Sequence, residues 1–585
     1  MKHNLTLKHI RLFSIFIVVS YFGTIITGCT GTSRPEKTVR TSSADMEIGG
    51  LFRMNITNNM RSIFPHNIVD ASATNLMNQV YEGLLCLDPE TKKIEPALAE
   101  SYTVSPDGLI YTFKLRKGIY FHDDEVFKGG KGREVLAADV IYCFTKLCEP
   151  SPRNQLYAFV VDLIKGARSH YDSGQPGSVE GLRVIDDYTL QIELEYPAPI
   201  FSSILTHPCG WIFPKEFYEY KDDIDMWCIG TGPFKARSIK INEVVILERN
   251  KKYWRKDESG NTLPYLDAIR CNFIENEIKQ LNLLLEGNLD LILEVPFRSI
   301  AGLKNRMEES NKDVNYHIIT IPGLRVEYYG FQHRSDIFED VKVRKAINYA
   351  IDREFLVDSI LHGYGEPATH GFIPVAMPAY PSDSVVGFSY NPDLARSLFA
   401  EAGYEGGKDF PVLTLQINDG SSTVIEVADA VQRMLTRVLN ITVEIAVLPR
   451  SLHYEQIESG QVGFWRDGWI GDYADPENFL RLFHGKLVPE DSVKASFLNT
   501  VRFKDPEFDK YFEASLRERD EKVRYSDYWH ADQELMNQAV VAPLYYEKWV
   551  WLVNNRVRNL DYSGIGVLDL SKVYFAKNIT SGLAQ

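Results

Sequence analysis

The chain has 585 residues, of which 44% are hydrophobic and 12% aromatic, and its formal net charge is -15. A chain of this length exceeds what one hydrophobic core supports, so we expect about two to four domains. The acidic balance argues against nucleic-acid binding, which requires clustered positive charge. It favours solubility and is compatible with cationic or neutral ligands.

The first 28 residues have the pattern of a secretory signal peptide. Three basic residues precede an apolar run, residues 12–26, that is too short and too mixed for a membrane span of about 20 residues. A small-residue exit then leads to Cys29, which is typical of a lipoprotein signal. We therefore expect Cys29 to become a lipidated N-terminus; the alternative is an ordinary signal peptide with an incidental cysteine.

Residues 29–45 are polar and low in bulky side chains, which predicts a flexible tether between the lipid and the folded part. A single lipidated end would hold the exported protein beside a membrane without spanning it. The chain contains seven cysteines and no C-x-x-C motif. Cys209 and Cys228 flank a short aromatic segment and are a candidate disulfide pair, the alternative being buried free thiols.

Strand and helix patterns alternate irregularly along the rest of the chain, which indicates mixed α/β domains. Strands are indicated by alternating or continuous apolar residues, and helices by apolar residues at i, i+3 and i+4. On these patterns we expect strands at residues 110–116, 188–194 and 540–546, and helices at residues 343–361, 391–402, 424–439 and 525–538.

Motifs of the common enzyme classes are absent from the sequence. We find no H-E-x-x-H, G-x-S-x-G, Walker A or G-x-G-x-x-G pattern. The histidines are scattered, and adjacent carboxylates such as Asp123 and Asp124 cannot face each other as acid and base. We therefore expect a binding protein rather than an enzyme, with no cofactor and no metal site.

A series of short motifs occurs in a fixed order along the chain. Individually each is weakly specific, but in register they resemble the large solute-binding proteins of bacterial peptide and nickel importers of the ATP-binding-cassette type. The resemblance covers roughly residues 46–558. The motifs include Y-E-G-L-L from Tyr81, S-P-D-G-L-I-Y-T-F-K-L-R from Ser105, G-T-G-P-F from Gly230, L-E-R-N-K-K-Y-W from Leu247 and V-R-K-A-I-N-Y-A-I-D-R from Val343.

The resemblance implies an α/β, two-lobed fold of the large periplasmic-binding-protein type with an extra inserted domain. Lobe I is expected to comprise residues 46–88, 194–325 and 541–585, the inserted domain II residues 89–193, and lobe III residues 326–540. The lobes would close on a ligand through a hinge and pass it to a membrane permease. Arg344 and Arg353 in the last motif are either structural charges or ligand contacts.

The stretch W-R-D-G-W-I-G-D-Y at residues 465–473 is the expected ligand site. In peptide-binding relatives, a segment like G-W-x-x-D-Y lines the cleft. The resemblance implies that the backbone of Gly468, Trp469 and Ile470 pairs with an extended ligand, and that Asp472 accepts its free α-amino group. Trp469 would wall a side-chain pocket. A helix-capping or turn-forming role is the alternative for Asp472.

The resemblance says less about which residue binds the carboxylate end of the ligand. Dipeptide binders place an arginine in the loop that corresponds to residues 418–423, and no arginine is present there. Strict dipeptide recognition is therefore not implied. Arg466 is the candidate partner of a ligand carboxylate, the alternative being an exposed charge at a strand end. Tyr157 of the inserted domain is the candidate ring opposite Trp469.

Taken with the signal pattern, these features predict an exported, monomeric lipoprotein that captures peptides and delivers them to an import permease. Its expected partners are a peptide, the permease subunits and, through the lipid, a membrane, but no nucleic acid. Because a fold does not fix the cargo, the alternative is the same fold binding a nickel chelate, heme or an oligosaccharide.

Overall fold

A computed structural model describes residues 46–577, apart from 57–59, 89–90, 92, 221, 294, 296, 310–313, 420–421, 492–493 and 563–566. The predicted signal peptide, Cys29 and the tether lie outside the described residues. None of the helices within the described ranges is long and apolar enough to cross a membrane.

The strands are distributed along the whole described chain. They are β1 Met46–Glu47, β2 Leu51–Ile56, β3 Leu85–Leu87, β4 Ile94–Pro96, β5 Ala99–Val104, β6 Ile110–Leu115, β7 Leu182–Asp186, β8 Thr189–Glu193, β9 Phe234–Lys240, β10 Val244–Arg249, β11 Ala268–Phe273, β12 Leu291–Ile292, β13 Tyr316–Phe331, β14 Gly365–Pro367, β15 Leu413–Asn418, β16 Val443–Leu448, β17 Phe464–Ile470, β18 Val541–Asn554, β19 Val557–Arg558, β20 Asp561–Tyr562, β21 Leu568–Asp569 and β22 Tyr574–Ala576.

Helices lie between the strands and pack on the sheets. They are α1 Ala71–Met77, α2 Ala137–Leu147, α3 Ala167–Ser173, α4 Phe201–Ile204, α5 Lys215–Tyr220, α6 Glu277–Leu285, α7 Phe297–Glu309, α8 Val341–Ala350, α9 Arg353–Phe355, α10 Pro392–Glu401, α11 Ser422–Leu439, α12 Arg450–Glu458, α13 Glu477–Leu480, α14 Pro506–Ser515 and α15 Glu521–Asn537.

One large mixed sheet runs through the molecule in the order β16-β15-β17-β13-β18-β12-β2-β11-β10-β9. Its centre is the antiparallel pair of the two longest strands, β13 and β18, which pair from Tyr316 opposite Asn554 to Gly330 opposite Val541. A separate antiparallel sheet, β5-β6-β8-β7, is built from residues 99–193. The β13–β18 pair therefore connects the two ends of the large sheet.

The buried apolar side chains form separate cores at the two ends of the β13–β18 pair. One large core draws mainly on residues 52–291 and 549–575, with Ile321 and Tyr473, and two others draw on residues 324–546. Ile321 and Trp551 belong to the first core, whereas Phe331 and Ala542 on the same two strands belong to the second. The division into lobe I, domain II and lobe III at the predicted boundaries stays a prediction.

Most of the predicted elements are confirmed. The two strands expected from alternation correspond to β6 and β8, and the strand expected from a continuous apolar run corresponds to β18. The helices expected at residues 391–402, 424–439 and 525–538 correspond to α10, α11 and α15. Asn391 caps α10 by accepting from the Leu394 N–H, and Pro392 stands in its first turn.

The single long helix predicted at residues 343–361 is wrong. Helix α8 ends at Ala350, Ile351 is extended with φ -92° and ψ 119°, and α9 starts at Arg353. The Asp352 carboxylate accepts from the Phe355 N–H and caps α9, which favours a new helix start over a continuous helix. The apolar periodicity continues across the break because Leu356, Val357 and Leu361, which follow α9, pack on the same core as α8.

Arg344 and Arg353 have structural roles in the described chain. Both side chains are buried, and they donate to main-chain carbonyls rather than to carboxylates. Arg353 Nε donates to Pro543 O at 2.6 Å, and Arg344 Nη2 donates to Gln538 O at 2.7 Å. These bonds fix the start of β18 against α8, so the structural alternative accounts for both arginines.

Three motifs that carry the family resemblance meet around the buried Glu82 carboxylate. It accepts from Thr231 Oγ1 at 2.8 Å, from Tyr253 OH at 3.0 Å and from Trp254 Nε1 at 3.1 Å. Gly230, beside Thr231, has no room for a Cβ because the Val80 carbonyl occupies that position. The motifs therefore form one packing unit of the fold.

The candidate disulfide between Cys209 and Cys228 is wrong. Both residues are free, buried thiols, and burial raises the pKa of each above its ordinary value. The Cys209 thiol donates to the Ile204 carbonyl at 3.5 Å. Both thiols lie in the first core, but spacing along the sequence does not report the distance and direction between two side chains, so it does not decide the pairing.

A buried carboxylate on α15 gives the fold a pH-dependent stability. Asp532 is fully buried and accepts from the Phe372 N–H at 2.7 Å and from Tyr380 OH at 3.2 Å. Burial raises its pKa to about 7, whereas an unfolded aspartic acid titrates near 3.9. The folded state therefore binds this proton more tightly, and the stabilisation is present below about pH 4 and is lost as pH rises through about 7.

We expect Asp532→Asn to reduce the loss of unfolding free energy between pH 5 and pH 8 by about 2–3 kcal/mol. The amide keeps an acceptor for Phe372 and carries no charge to bury. Urea unfolding at pH 5, 6, 7 and 8 measures the difference, with the exposed Asp393→Asn as the matched control. Equal pH slopes for wild type and Asp532→Asn would contradict this assignment.

Candidate functional site

Strand β17 has one edge that is only partly used. It pairs with β13 along its whole length, from Phe464 opposite Phe331 to Ile470 opposite Arg325. On its other side, β15 pairs only with Phe464 and Trp465. Within the described ranges, no strand continues this pairing, so residues 466–470 form an open strand edge.

The register determines which backbone groups point to the open edge. The Gly471 N–H donates to the Leu324 carbonyl at 2.8 Å, so the odd-numbered residues bond to β13. Arg466, Gly468 and Ile470 therefore direct their N–H and C=O groups away from β13. This is the arrangement that an added β-strand requires.

The Arg466 N–H takes part in the pairing with β15, and two further outward groups have side-chain partners. His453 Nε2 donates to the Arg466 carbonyl at 3.0 Å, and the Asp467 carboxylate accepts from the Gly468 N–H at 2.8 Å. The Gly468 carbonyl and both backbone groups of Ile470 have no bond to any part of the chain that the structure describes. They are the free positions of the predicted pairing segment.

Gly468 is packed against a buried carboxylate. A Cβ at this position would lie 2.5 Å from Glu327 Oε1, so any side chain here displaces Glu327. Glu327 is 3% exposed and pairs with Arg325 at 2.6 Å and with Arg466 at 2.5 Å. Burial would raise the pKa of Glu327, but Arg466 and Arg325 outweigh burial and lower it.

Arg466 belongs to this charge network and is not an exposed strand-end charge. Besides Glu327, it donates from Nη1 to Asn418 Oδ1 at 3.0 Å. Arg325 extends the network to Glu547 at 2.9 Å. A ligand carboxylate would have to share the Arg466 guanidinium with Glu327, so the predicted contact between Arg466 and a ligand carboxylate stays a prediction.

Asp467 is a second buried carboxylate of this segment, and the sequence patterns did not single it out. It is 9% exposed and accepts from Tyr328 OH at 3.2 Å. Burial raises its pKa to about 6, and the positive charge of Arg466 opposes the rise. The Asp467 carboxylate occupies the Gly468 N–H, so the carbonyl is the group of Gly468 that remains unbonded on the open edge.

Asp472 and Trp469 are held by one buried amide. Asn478 Oδ1 accepts from Trp469 Nε1 at 2.9 Å and from the Asp472 N–H at 3.0 Å, and Asn478 Nδ2 donates to Asp472 Oδ2 at 3.3 Å. Asn478 is fully buried, whereas Trp469 and Asp472 are half-buried. The two side chains expected in the ligand site are therefore positioned by a residue that the sequence patterns did not reveal.

The capping alternative for Asp472 is not the arrangement in this structure. Asp475, three residues later, accepts from the Glu477 N–H at 3.0 Å at the start of α13, and it pairs with Arg524 at 2.7 Å. The hydrogen bond found for the Asp472 carboxylate, among the described residues, comes from Asn478. The predicted contact of Asp472 with a ligand amine stays a prediction.

A ring from the other side of the molecule meets this segment, but it belongs to Phe159 and not to Tyr157. Tyr157 stacks on Tyr171 with ring centroids 4.5 Å apart. Phe159, two residues further on, lies edge-on to Tyr473 at 6.4 Å and under the Arg481 guanidinium at 5.9 Å. The contact seen is that of Phe159 with Tyr473, and the placement of the Tyr157 ring opposite Trp469 stays a prediction.

Tyr473 inserts into the large first core although it follows directly after Asp472. It is 1% exposed, and its hydroxyl donates to the Glu477 carboxylate. On the first-core side, His207 packs against Phe159 at 4.6 Å. Burial lowers the pKa of His207, and the Asp472 carboxylate opposes that shift, so Asp472 faces the loop that carries His207.

Comparison with known proteins identifies the class of site. The model of the family described as bacterial extracellular solute-binding proteins, family 5 Middle, matches residues 93–488. The chain belongs to this family. The membership confirms the resemblance seen in the motifs, and it confirms that the chain is a solute-binding protein and not an enzyme.

Relatives of this family 5 protein match it over nearly its whole length. The oligopeptide-binding protein OppA of Bacillus subtilis is 26% identical over 97% of this chain and 98% of its own. The heme-binding protein A of Haemophilus influenzae is also 26% identical, over 93% and 95%.

A solved structure confirms the fold class. The periplasmic binding protein DppA of Helicobacter pylori, in complex with the peptide STSA, superimposes with a TM-score of 0.74 at 26% identity. The match covers 91% of this chain and 99% of that one. The chain therefore has the two-lobed, mixed α/β fold of the family 5 binding proteins.

We expect Gly468→Ala to destabilise the protein by about 1–3 kcal/mol, because its methyl group overlaps the buried Glu327 carboxylate. Gly463→Ala is the matched control, since a Cβ there would meet only Phe338, at an ordinary 3.7 Å. Denaturant unfolding of both variants measures the effect. Equal stabilities of the two variants would contradict the packing of Glu327 on Gly468.

The charge network makes a separate prediction for Arg466. We expect Arg466→Met to lower the unfolding free energy by about 3–5 kcal/mol, because Glu327 loses one of two counter-charges. In a Glu327→Gln background, the same change should cost about 1–3 kcal/mol less. A double-mutant cycle in urea measures the coupling. If the two losses are additive, Arg466 and Glu327 are not energetically coupled. The Arg466 guanidinium would then be available for the predicted contact with a ligand carboxylate.

Proposed function

We propose that this protein captures peptides in the cleft between its lobes and delivers them to an ATP-binding-cassette import permease. The observation that carries the proposal is the open edge of β17, which ends two residues before the half-buried Asp472. An extended peptide main chain would pair with the edge, and its ammonium group would meet the carboxylate.

The open edge supports recognition that does not depend on the peptide sequence. The Gly468 carbonyl and the Ile470 N–H and carbonyl would bond to the peptide main chain, as in other cases of β-strand addition. Gly468 leaves this approach free of a side chain. Trp469 would form one wall of a side-chain pocket, because its indole N–H is already bonded to Asn478 and its ring is half-buried.

Asp472 supports selection of a free amino terminus. Taking a carboxylate out of water without a partner is unfavourable, and one amide donor at 3.3 Å offsets only part of that cost. A ligand ammonium would supply a charge-assisted hydrogen bond as the cleft closes. Lobe closure and ligand binding would then stabilise each other.

The relatives alone do not select the cargo. The oligopeptide-binding and heme-binding relatives are equally identical to the chain, at 26%. The open strand edge beside a carboxylate favours a peptide over heme, a nickel chelate or an oligosaccharide, because those ligands offer no main chain to pair. The peptide bound to the similar DppA structure supports the same choice.

The location of the protein is part of the proposal. The lipoprotein signal pattern supports an exported monomer tethered to a membrane through a lipid on Cys29. This tether would keep the binding protein close to the permease that receives its ligand. The family description as extracellular solute-binding proteins agrees with export.

We expect the protein to bind alanine peptides of three to five residues with a free amino terminus more tightly than their N-acetylated forms. Asp472→Ala should weaken binding of the free-amine peptides by about 10- to 100-fold, the loss expected for one charge-assisted hydrogen bond. The exposed Asp393→Ala is the control. Isothermal titration calorimetry measures both effects.

Absence of binding by all of these peptides would contradict the proposed cargo. Wild-type affinity in Asp472→Ala would contradict amine recognition by this carboxylate while leaving peptide binding intact. Spectroscopic titration with heme tests the alternative cargo. Tight binding of heme without binding of any peptide would show that heme, and not a peptide, is the ligand.

A further inference from the structure

We infer that Asn478 is the positioning residue that makes this site selective for a free amino terminus. The inference rests on the proposed function, since it concerns how the same site recognises an amine. Asn478 does not line the open edge of β17 and is fully buried behind it. It acts through the two side chains that face the cleft, Trp469 and Asp472.

The Asn478 amide joins the pairing segment to the carboxylate. Its Oδ1 uses both acceptor positions, one for Trp469 Nε1 at 2.9 Å and one for the Asp472 N–H at 3.0 Å. Its Nδ2 donates to Asp472 Oδ2 at 3.3 Å. A single side chain therefore sets the orientation of the indole, the main chain of the intervening turn and the carboxylate.

Asn478 is itself rigidly held. It lies on the short helix α13, whose neighbouring side chains Phe479 and Leu480 are fully buried in a core. The start of α13 is fixed by Asp475, which bonds to the Glu477 N–H and to Arg524. The position of the amide is therefore set by the core and not by the ligand.

The geometry assigns different roles to the two oxygens of Asp472. Oδ2 is occupied by Asn478, which leaves Oδ1 for the ligand ammonium. Without Asn478, the carboxylate would be free to rotate towards solvent, and the Trp469 N–H and the Asp472 N–H would each lose their acceptor. The open edge of β17 would remain, because it depends on pairing with β13.

This separation of roles predicts a change in selectivity and not only in affinity. Asn478→Leu keeps the volume of the side chain and removes all three hydrogen bonds. We expect it to weaken binding of a free-amine alanine tetrapeptide by about 10- to 100-fold, and to leave the affinity for the N-acetylated tetrapeptide within about threefold. Asn478→Ser, which keeps one short donor and acceptor, should fall between Asn478→Leu and wild type.

The test measures both tetrapeptides by calorimetry on wild type, Asn478→Leu, Asn478→Ser and a matched control. Asn499→Leu is that control, because Asn499 is also fully buried and saturated by main-chain bonds, to His484 O and Phe503 O, away from Asp472. Asn499→Leu should lower the melting temperature without changing the ratio of the affinities for the free-amine and N-acetylated tetrapeptides. If Asn478→Leu does not fold, the ratio in Asn478→Ser decides.

Two results would overturn the inference while the proposed function stands. One is an unchanged preference for the free amine in the Asn478 variants although Asp472→Ala abolishes it. The other is an equal loss for both peptides, which is what a merely structural role produces. If wild type itself shows no preference, amine recognition by Asp472 fails, and the role of Asn478 fails with it.

Discussion

The site depends on the register of β13 against β17. Because Gly471 bonds to Leu324, the even-numbered residues of β17 direct their backbone groups to the open edge. The same register places Glu327 opposite Gly468, where only a glycine leaves room for the carboxylate. A slip of one residue would exchange the two sets of backbone groups and move every side chain to the other face. Pairing of β13 with β18 on its second edge makes such a slip costly.

Buried charge is the second constraint on the segment. Arg325, Glu327 and Arg466 form a chain of ion pairs next to the open edge, and Asn418 completes the bonds of Arg466. Removing one partner of such a network leaves an uncompensated buried charge, so its members restrain each other. Asp472 differs from them because its bond in the described structure comes from a neutral amide. Under the proposed function, the ion-paired charges hold the strand, and Asp472, which the Arg481 charge also senses, is the carboxylate that would meet the ligand.

The sequence predicted the elements better than the contacts. Periodicity located β6, β8, α10, α11 and α15, because burial of one face repeats along each of them, and a continuous apolar run located β18, which is buried on both faces where it starts. It missed the break between α8 and α9, where the Asp352 cap overrides a continuous apolar stripe. The order of the motifs identified the family, and their meeting around Glu82 explains why they occur together.

Within the site, the sequence indicated Gly468 to Ile470 and Asp472, but their supporting residues came only from the structure. Glu327 reaches Arg466 across 139 residues, and no local pattern reports such a pair. Asn478 is only six residues from Asp472, yet an asparagine before two apolar residues is unremarkable by itself. The ring of Phe159 and the free thiols of Cys209 and Cys228 likewise depend on side-chain directions that spacing does not contain.

Hydrogen exchange at the β17 edge reports directly whether a peptide adds to it as a β-strand. The Gly468 N–H is held by Asp467, and the odd-numbered amides are held by β13, so the Ile470 amide is the outward one that a peptide would newly protect. We expect saturating alanine tetrapeptide to protect about one additional amide from exchange in residues 466–472. Exchange in the β15 segment, residues 413–418, should not change. Unchanged exchange in residues 466–472, with peptide binding confirmed by calorimetry, would contradict β-strand addition at this edge.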